Sequence, residues 1–167
     1  MKVTVSHTLD CSVETFWKRI FFDRDYNQSL FVGEMKFPAY EMLELKESAE
    51  RVDRKVRVTP PQKGPDIVRK FVKGTMSYDE IGAWTASDGA YRFRTITSTM
   101  TDKIKISGTI RVEPAAGGKI VRHADIEIVV DVMLVGGSIE KFLAGEIRSN
   151  YDVGAAFTNR WIAERKL

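Results

Sequence analysis

The stretch KIKISGTIRVE, residues 103–113, alternates apolar and polar side chains with a period of two. Such alternation is typical of a β-strand that packs one face on a core and exposes the other to water. After a turn predicted at Ala116-Gly117-Gly118, the stretch DIEIVVDVML, residues 125–134, shows the same alternation, and its acidic residues can face the basic residues of the first stretch. The residues expected on the dry face are Ile104, Ile106, Gly108, Ile110 and Val112, followed by Ile126, Ile128, Val130, Val132 and Leu134.

A single long helix is predicted after these strands, because residues 138–167 contain no proline and carry apolar residues at helical spacing. Gly136-Gly137 is expected to end the sheet and Ser138 to cap the helix. About 28 residues at 1.5 Å each give a helix of about 42 Å, which is long enough to cross a sheet. The expected apolar stripe consists of Ile139, Phe142, Leu143, Ile147, Val153, Phe157 and Trp161.

Two polar residues, Glu146 and Asn150, fall inside this apolar stripe. A carboxylate or an amide on a buried face is costly unless it is paired. We therefore expect each to meet a protein partner, a water molecule or the polar end of a ligand. The alternative is that both lie where the stripe meets solvent or form a purely structural pair.

The chain before residue 103 predicts a strand, two short helices and four more strands. The first strand is expected over residues 3–9, and it is followed by a helix capped by Ser12 and a second helix from Asp23 to Leu30. A hairpin is expected over residues 40–58, in which Leu43 and Leu45 share a face. Two further strands are expected over residues 76–84 and 91–99, joined by a turn at Ser87-Asp88-Gly89. Three prolines interrupt residues 59–65, and a brief helical turn is predicted over residues 67–72.

The composition is that of a folded protein, with 43% hydrophobic and 29% charged residues in 167, so we expect one domain over residues 1–167. The net charge of +3 is spread along the chain, which argues against nucleic acid as a partner but leaves a weak, transient contact with an anionic membrane surface open. The N-terminus lacks the apolar core of a signal peptide, so a cytoplasmic location is expected. A single cysteine, Cys11, excludes an internal disulfide.

The order of elements resembles that of the START-like, or Bet v-type (SRPBCC), superfamily over essentially the whole chain. The segment DCSVETFW, residues 10–17, is similar to the start of the first helix in that superfamily. The segments VGGSIEK, residues 135–141, and RWI, residues 160–162, resemble an uncharacterised bacterial branch. The resemblance implies an α+β helix-grip fold: a curved antiparallel sheet of about seven strands, two short helices after strand one and a long C-terminal helix across the sheet.

Members of that superfamily bind or carry lipids, sterols, quinones, polyketides or plant hormones, and a few are cyclases or chaperone co-regulators. The resemblance therefore implies binding of a hydrophobic small molecule in an internal cavity, with no cofactor. No set of residues matches the catalytic pattern of the polyketide cyclases, which argues against an enzyme. Two alternatives remain, namely a cyclase or dehydratase that uses Glu146 as acid or base, and a protein-interaction module without a cavity.

Arg54 shares the parity of Val56 and Val58, so its side chain should point to the concave side of the sheet. We hypothesise that it pairs with Glu146 at one end of the cavity, the alternative being that it extends outward from the hairpin end. We expect the opening near residues 33–38 and 60–65. The candidate ligand-binding residues are Arg54, Tyr78, Tyr91, Phe93, Phe142, Leu143, Glu146, Ile147, Asn150 and Phe157.

Other site chemistries find no support in the sequence. His7 and His123 are far apart and have no carboxylate or cysteine at ligand spacing, so no metal site is predicted. A G-x-S-x-G nucleophile turn is missing, and neither pair of adjacent glycines has the spacing of a phosphate-binding loop. Hydrolase and nucleotide-binding functions are therefore not expected.

Overall fold

The computed structural model describes residues 1–71 and 74–167. Within these ranges seven strands form one antiparallel sheet in the order β1-β7-β6-β5-β4-β3-β2. The strands are β1 (Lys2–Leu9), β2 (Ala39–Glu47), β3 (Arg51–Thr59), β4 (Tyr78–Thr85), β5 (Ala90–Thr97), β6 (Ile104–Pro114) and β7 (Ile120–Val130). Among these strands only β1 and β7 are neighbours out of sequence order, which places the first strand beside the last. The predicted α+β helix-grip architecture is confirmed.

The two predicted helices after β1 are present, and each continues as a π-helical segment. Helix α1 (Val13–Thr15) leads into Phe16–Phe21, and helix α2 (Arg24–Gln28) leads into Ser29–Glu34. Ser12 Oγ accepts a hydrogen bond from the backbone N–H of Thr15 at 3.1 Å, which confirms the predicted cap. The predicted helical turn after the prolines is present as α3 (Asp66–Phe71), and its last predicted residue, Val72, lies outside the described residues.

The pair β6–β7 has the predicted alternation, and Arg111 forms an ion pair with Asp125 across it at 2.8 Å on the outer face. The prediction for the end of β7 was wrong, because the strand stops at Val130 and Leu134 is 98% exposed. The backbone N–H of Gly136 bonds to the carbonyl of Val132 at 2.8 Å, so the chain turns there into the last helix. This turn overrides the alternation of side chains, which continues in the sequence.

Strand β2 departs from the predicted pattern at a β-bulge between Met42 and Glu44. Met42 is buried and Leu43 is exposed, and the extra residue then reverses the alternation, so that Leu45 pairs with the inward-facing Arg54. The prediction that Leu43 and Leu45 share a face is therefore wrong. Arg54, on the partner strand β3, keeps its predicted inward parity.

Helix α4 (Gly136–Arg165) has 30 residues and begins two residues before the predicted cap, Ser138, which lies in its first turn. Gly136 packs directly on the backbone carbonyl of Val130, where a Cβ atom has no room, so glycine sets the start of the helix. The predicted apolar stripe is wrong at Val153, which is 38% exposed. Gly154 and Ala155 occupy the buried positions instead, and a Cβ at Gly154 would already touch Leu30 and Met35. Small residues therefore let α4 lie close to the second π-helical segment.

Cys11 is buried in the main core cluster, which lies between the sheet, α4 and the first helices. Burial, assisted by the charge of Asp10, raises the pKa of its thiol to about 11. The thiol is therefore protonated at neutral pH and acts as a small apolar side chain. No helix in the described part of the chain has the length and hydropathy needed to cross a bilayer.

Candidate ligand-binding cavity

A cavity of about 770 Å³ lies between the concave face of the sheet, helix α4 and the two π-helical segments. This volume is within the range of small-molecule sites in proteins. Its walls are mainly apolar and include Phe16, Ile20, Phe21, Leu30, Phe31, Ile104, Ile106, Ile110, Phe142, Leu143 and Ile147. The helix-grip architecture therefore encloses space that side chains do not fill.

Most of the candidate residues named from the sequence line this cavity: Arg54, Tyr78, Phe93, Phe142, Leu143, Glu146, Ile147 and Asn150. Tyr91 and Phe157 do not line it. Tyr91 is fully buried in the core, and the Phe157 ring packs against Tyr26 and Trp161 at centroid distances of 5.7 and 5.6 Å. Ligand binding by the residues that do line the cavity stays a prediction.

Arg54 is 6% exposed and points inward, as predicted, but its partner is Glu80 and not Glu146. Arg54 Nη2 donates to Glu80 Oε1 at 2.6 Å, and Nη1 donates to the carbonyl of Phe21 at 2.8 Å. The register places Glu80 opposite Val56, so it is the diagonal neighbour of Arg54 on the same face. Glu80 shares the parity of Tyr78 and Gly82 along β4, and this parity is the signal in the sequence that could have identified Glu80 as an inward-facing partner of Arg54. The predicted Arg54–Glu146 pair is wrong because strand register, and not helix position, selects the carboxylate.

The carboxylate of Glu80 holds a second buried group, since Tyr91 Oη donates to Glu80 Oε1 at 2.9 Å. The guanidinium of Arg54 also lies over the ring of Phe21, 4.1 Å from its centroid. Burial raises the pKa of Tyr91 well above its ordinary value, so its phenol remains a donor at any physiological pH. The Arg54–Glu80–Tyr91 cluster is thus a satisfied network at the cavity wall.

Beside this network, polar side chains of β4 and β5 form a patch on the otherwise apolar wall. Tyr78 pairs in register with Thr97, and Glu80 with Thr95. The hydroxyls of Thr95 and Thr97 have no hydrogen-bond partner among the described residues. Burial raises the pKa of Tyr78, so its phenol stays protonated. The patch contains donors and acceptors suited to a hydroxyl or carbonyl group of a ligand.

Arg122 is a cavity residue that the sequence reasoning missed. It lies on β7, shares the inward parity of Ile120 and Ile126, and is 8% exposed. The predicted strand began near residue 125, whereas β7 begins at Ile120. Extending the alternation back to Ile120 would have placed Arg122 on the dry face.

Glu146 and Asn150 lie one turn apart on α4, are partly buried and line the cavity. Neither side chain forms a hydrogen bond within the described residues. Neither side chain therefore has the protein partner that was one of its expected contacts, as far as the described residues show. Both remain available to a ligand or to water in the cavity.

The cavity extends to the two segments near which we expected its opening. Met35 and Phe37 line it from one segment, and residues 60–63 line it from the other. No cluster of three or more metal-ligating side chains occurs among residues 1–71 and 74–167. His7 instead contacts a single carboxylate, with His7 Nε2 2.7 Å from Asp152 Oδ1.

A family model described as a protein of unknown function (DUF2505) matches residues 4–162. No curated protein sequence matches the chain. The fold is similar to that of the protein TTHA0849 from Thermus thermophilus, with a TM-score of 0.70, 12% identity and full coverage of both chains.

Two further solved structures are similar to this chain. The Zhui aromatase/cyclase from Streptomyces sp. R1128 has a TM-score of 0.69 and 10% identity, with 100% of this chain and 96% of that chain covered. A START superfamily protein from Mycobacterium smegmatis has a TM-score of 0.60 and 13% identity, with 95% of each chain covered. Identities this low show that the fold is shared, and they carry no information about a shared activity.

Proposed function

Because the chain belongs to the DUF2505 family and has the START-like helix-grip fold, we propose that it binds a hydrophobic small molecule in its internal cavity. The observation that carries this proposal is the cavity of about 770 Å³ with mainly apolar walls. The ligand class is a lipid, sterol, quinone or polyketide-like molecule. The cavity argues against one alternative that the sequence left open, a protein-interaction module without a cavity.

Apolar burial drives such binding but does not suffice for high affinity. A ligand that buries about 300 Å² of apolar surface gains about 7.5 kcal/mol at about 25 cal/mol per Å². Association costs at least about 4 kcal/mol in lost translation and rotation. At most about 3.5 kcal/mol of favourable free energy remains, which corresponds to a Kd above about 1 mM. Polar contacts with a ligand therefore have to supply the rest of the affinity.

We expect purified protein to retain a hydrophobic adduct in native mass spectrometry, or to bind members of a broad lipid and quinone panel by displacement of a fluorescent apolar probe. The reason is that an apolar cavity of this size favours an apolar guest over water. Mass spectrometry under native and denaturing conditions measures the adduct. A protein that carries no adduct and binds no member of the panel would contradict the proposal.

A matched pair of variants on α4 tests whether the cavity is the binding site. Ile147→Trp adds a large ring at the cavity wall and should weaken probe binding about 10-fold or more, since it occupies ligand volume. Arg148→Trp adds the same ring at the neighbouring exposed position and should leave probe binding unchanged. Equal probe affinity in the two variants would place the binding site elsewhere.

The carboxylate of Glu146 favours a second candidate function, a cyclase or dehydratase, because it lines the cavity without a hydrogen-bond partner in the described residues. In that case Glu146→Gln should lower turnover of a polyketide-like substrate about 100-fold or more and leave binding intact. Glu164→Gln, at an exposed position on the same helix, serves as the control. A wild-type protein that binds such a molecule without converting it would exclude this candidate.

A further inference from the structure

Among the described residues three arginines line the cavity. Arg69, on α3, is exposed and pairs with Asp66, whereas the other two reach the cavity from opposite parts of the sheet. Arg54 lies on β3 and Arg122 lies on β7, four strands away in the sheet order. Both are almost fully buried. A buried guanidinium requires compensation by an opposite charge or by hydrogen bonds. The two positions differ in how the protein supplies it.

Arg54 has its compensation within the protein. It forms an ion pair with Glu80, donates to the carbonyl of Phe21 and lies over aromatic rings. The same carboxylate accepts from Tyr91. This end of the cavity is therefore electrically balanced before any ligand binds.

Arg122 has no carboxylate partner within the described ranges of the chain. Its Nη2 donates to His7 Nδ1 at 3.1 Å and to the carbonyl of Tyr151 at 3.3 Å, and its guanidinium lies 4.8 Å from the centroid of the Tyr151 ring. Its Nε has no hydrogen-bond partner among the described residues. Arg122 therefore contacts only uncharged groups among the described residues. Both contacts with Tyr151, the long hydrogen bond to its carbonyl and the contact with its ring, are weak.

The histidine contact does not bring a negative charge to the arginine. Because His7 Nδ1 accepts from Arg122, the imidazole proton is on Nε2, which donates to Asp152 Oδ1 at 2.7 Å. The imidazole is then neutral, and the side chain of Asp152 is 70% exposed, so water screens its charge. Burial lowers the pKa of Arg122, but an arginine remains charged at neutral pH.

We propose that Arg122 anchors the acidic group of the ligand, so that the cavity takes an amphipathic carboxylic acid with a long apolar body. This assignment rests on the proposed function, since it names the ligand class for the same cavity. The guanidinium pairs with the carboxylate, and the apolar walls receive the hydrocarbon. The ring of Tyr151 lies against this guanidinium and lines the same cavity, and burial raises the pKa of its phenol to about 12, so the phenol stays protonated and neutral.

The test compares a fluorescent long-chain fatty acid with the alcohol of the same chain. Wild-type protein should bind the acid at least about 10-fold more tightly than the alcohol, because only the acid forms a charge-assisted pair with Arg122. Arg122→Gln should weaken acid binding about 10- to 100-fold and leave alcohol binding within about threefold. Arg111→Gln, an exposed arginine on β6, should change neither affinity.

The outcomes separate this assignment from the proposed function. Equal affinity of wild-type protein for acid and alcohol would overturn the anchor while supporting the cavity, and this measurement needs no variant to fold. A preference for the acid that persists in Arg122→Gln would also overturn it. Binding of neither probe by a protein that binds another member of the lipid and quinone panel would overturn the anchor alone, whereas the absence of binding across the whole panel would contradict the proposed function as well. Urea unfolding of each variant shows whether a lost affinity reflects lost folding.

Discussion

Replacing Glu80 with alanine will destabilise the protein by about 3–5 kcal/mol, because it leaves the Arg54 guanidinium buried without its carboxylate. Arg54 is almost completely buried, and its shortest contact is the 2.6 Å bond to Glu80 Oε1. The substitution also removes the acceptor of the buried Tyr91 hydroxyl. Urea unfolding, followed by circular dichroism, measures the free energy of unfolding.

A neighbouring ion pair on the same two strands provides the matched control. Arg57 and Asp79 form a 2.7 Å pair on the outer face, where the arginine side chain is half exposed. Asp79→Ala should therefore cost about 1 kcal/mol or less. The double variant Arg54→Met with Glu80→Leu removes both buried charges and should lose less stability than Glu80→Ala alone. If Glu80→Ala and Asp79→Ala lower the free energy of unfolding by the same amount, burial does not make the Arg54–Glu80 pair more important for stability than an exposed pair.

Gly82→Ala will cost about 3 kcal/mol, because the added methyl group has no space on the concave face of β4. A Cβ at Gly82 would lie 2.7 Å from the carbonyl oxygen of Arg92 and would overlap the ring of Tyr91. Displacing that ring also breaks the hydrogen bond from Tyr91 to Glu80. Thermal or urea unfolding measures the loss.

The same substitution in helix α4 should have the opposite sign. Gly145 has no atom within 4 Å of the position of an added Cβ and is exposed in the interior of the helix. Gly145→Ala should therefore raise the free energy of unfolding by about 0.5–1 kcal/mol, through the reduced entropy of the unfolded chain. If both alanine variants destabilise the protein to the same extent, close packing at Gly82 is not the cause.

Gly82 belongs to a row of three residues that crosses the middle of the sheet. Phe93 on β5 stands in register with Gly82 on one side and with Gly108 on the other. The Phe93 ring lies over Gly108, where an added Cβ would be 2.7 Å from its Cζ. The two glycines let large aromatic rings lie against the backbone of neighbouring strands. No periodic pattern in the sequence predicts this row, since it depends on the register of three strands.

The candidate site shows how far local pattern extends. Parity along a strand correctly placed Arg54 on the concave face, and helical spacing brought Glu146 and Asn150 to the cavity. The partner of Arg54 was wrong, because Glu80 is 26 residues away in sequence and meets it only through the β3–β4 register. Arg122 was missed because the start of β7 was placed too late in the sequence.

The sequence by itself determined the order of the elements, the faces of most strands and the long final helix. These features follow from local periodicity, because the period of each element is set by backbone geometry that neighbouring residues share. Only the tertiary structure decided which polar groups meet, where the bulge in β2 reverses the alternation, and that Arg122 has no carboxylate partner in the described chain. Those contacts join residues far apart in the chain, and strand order, register and the closure of α4 over the sheet control them together.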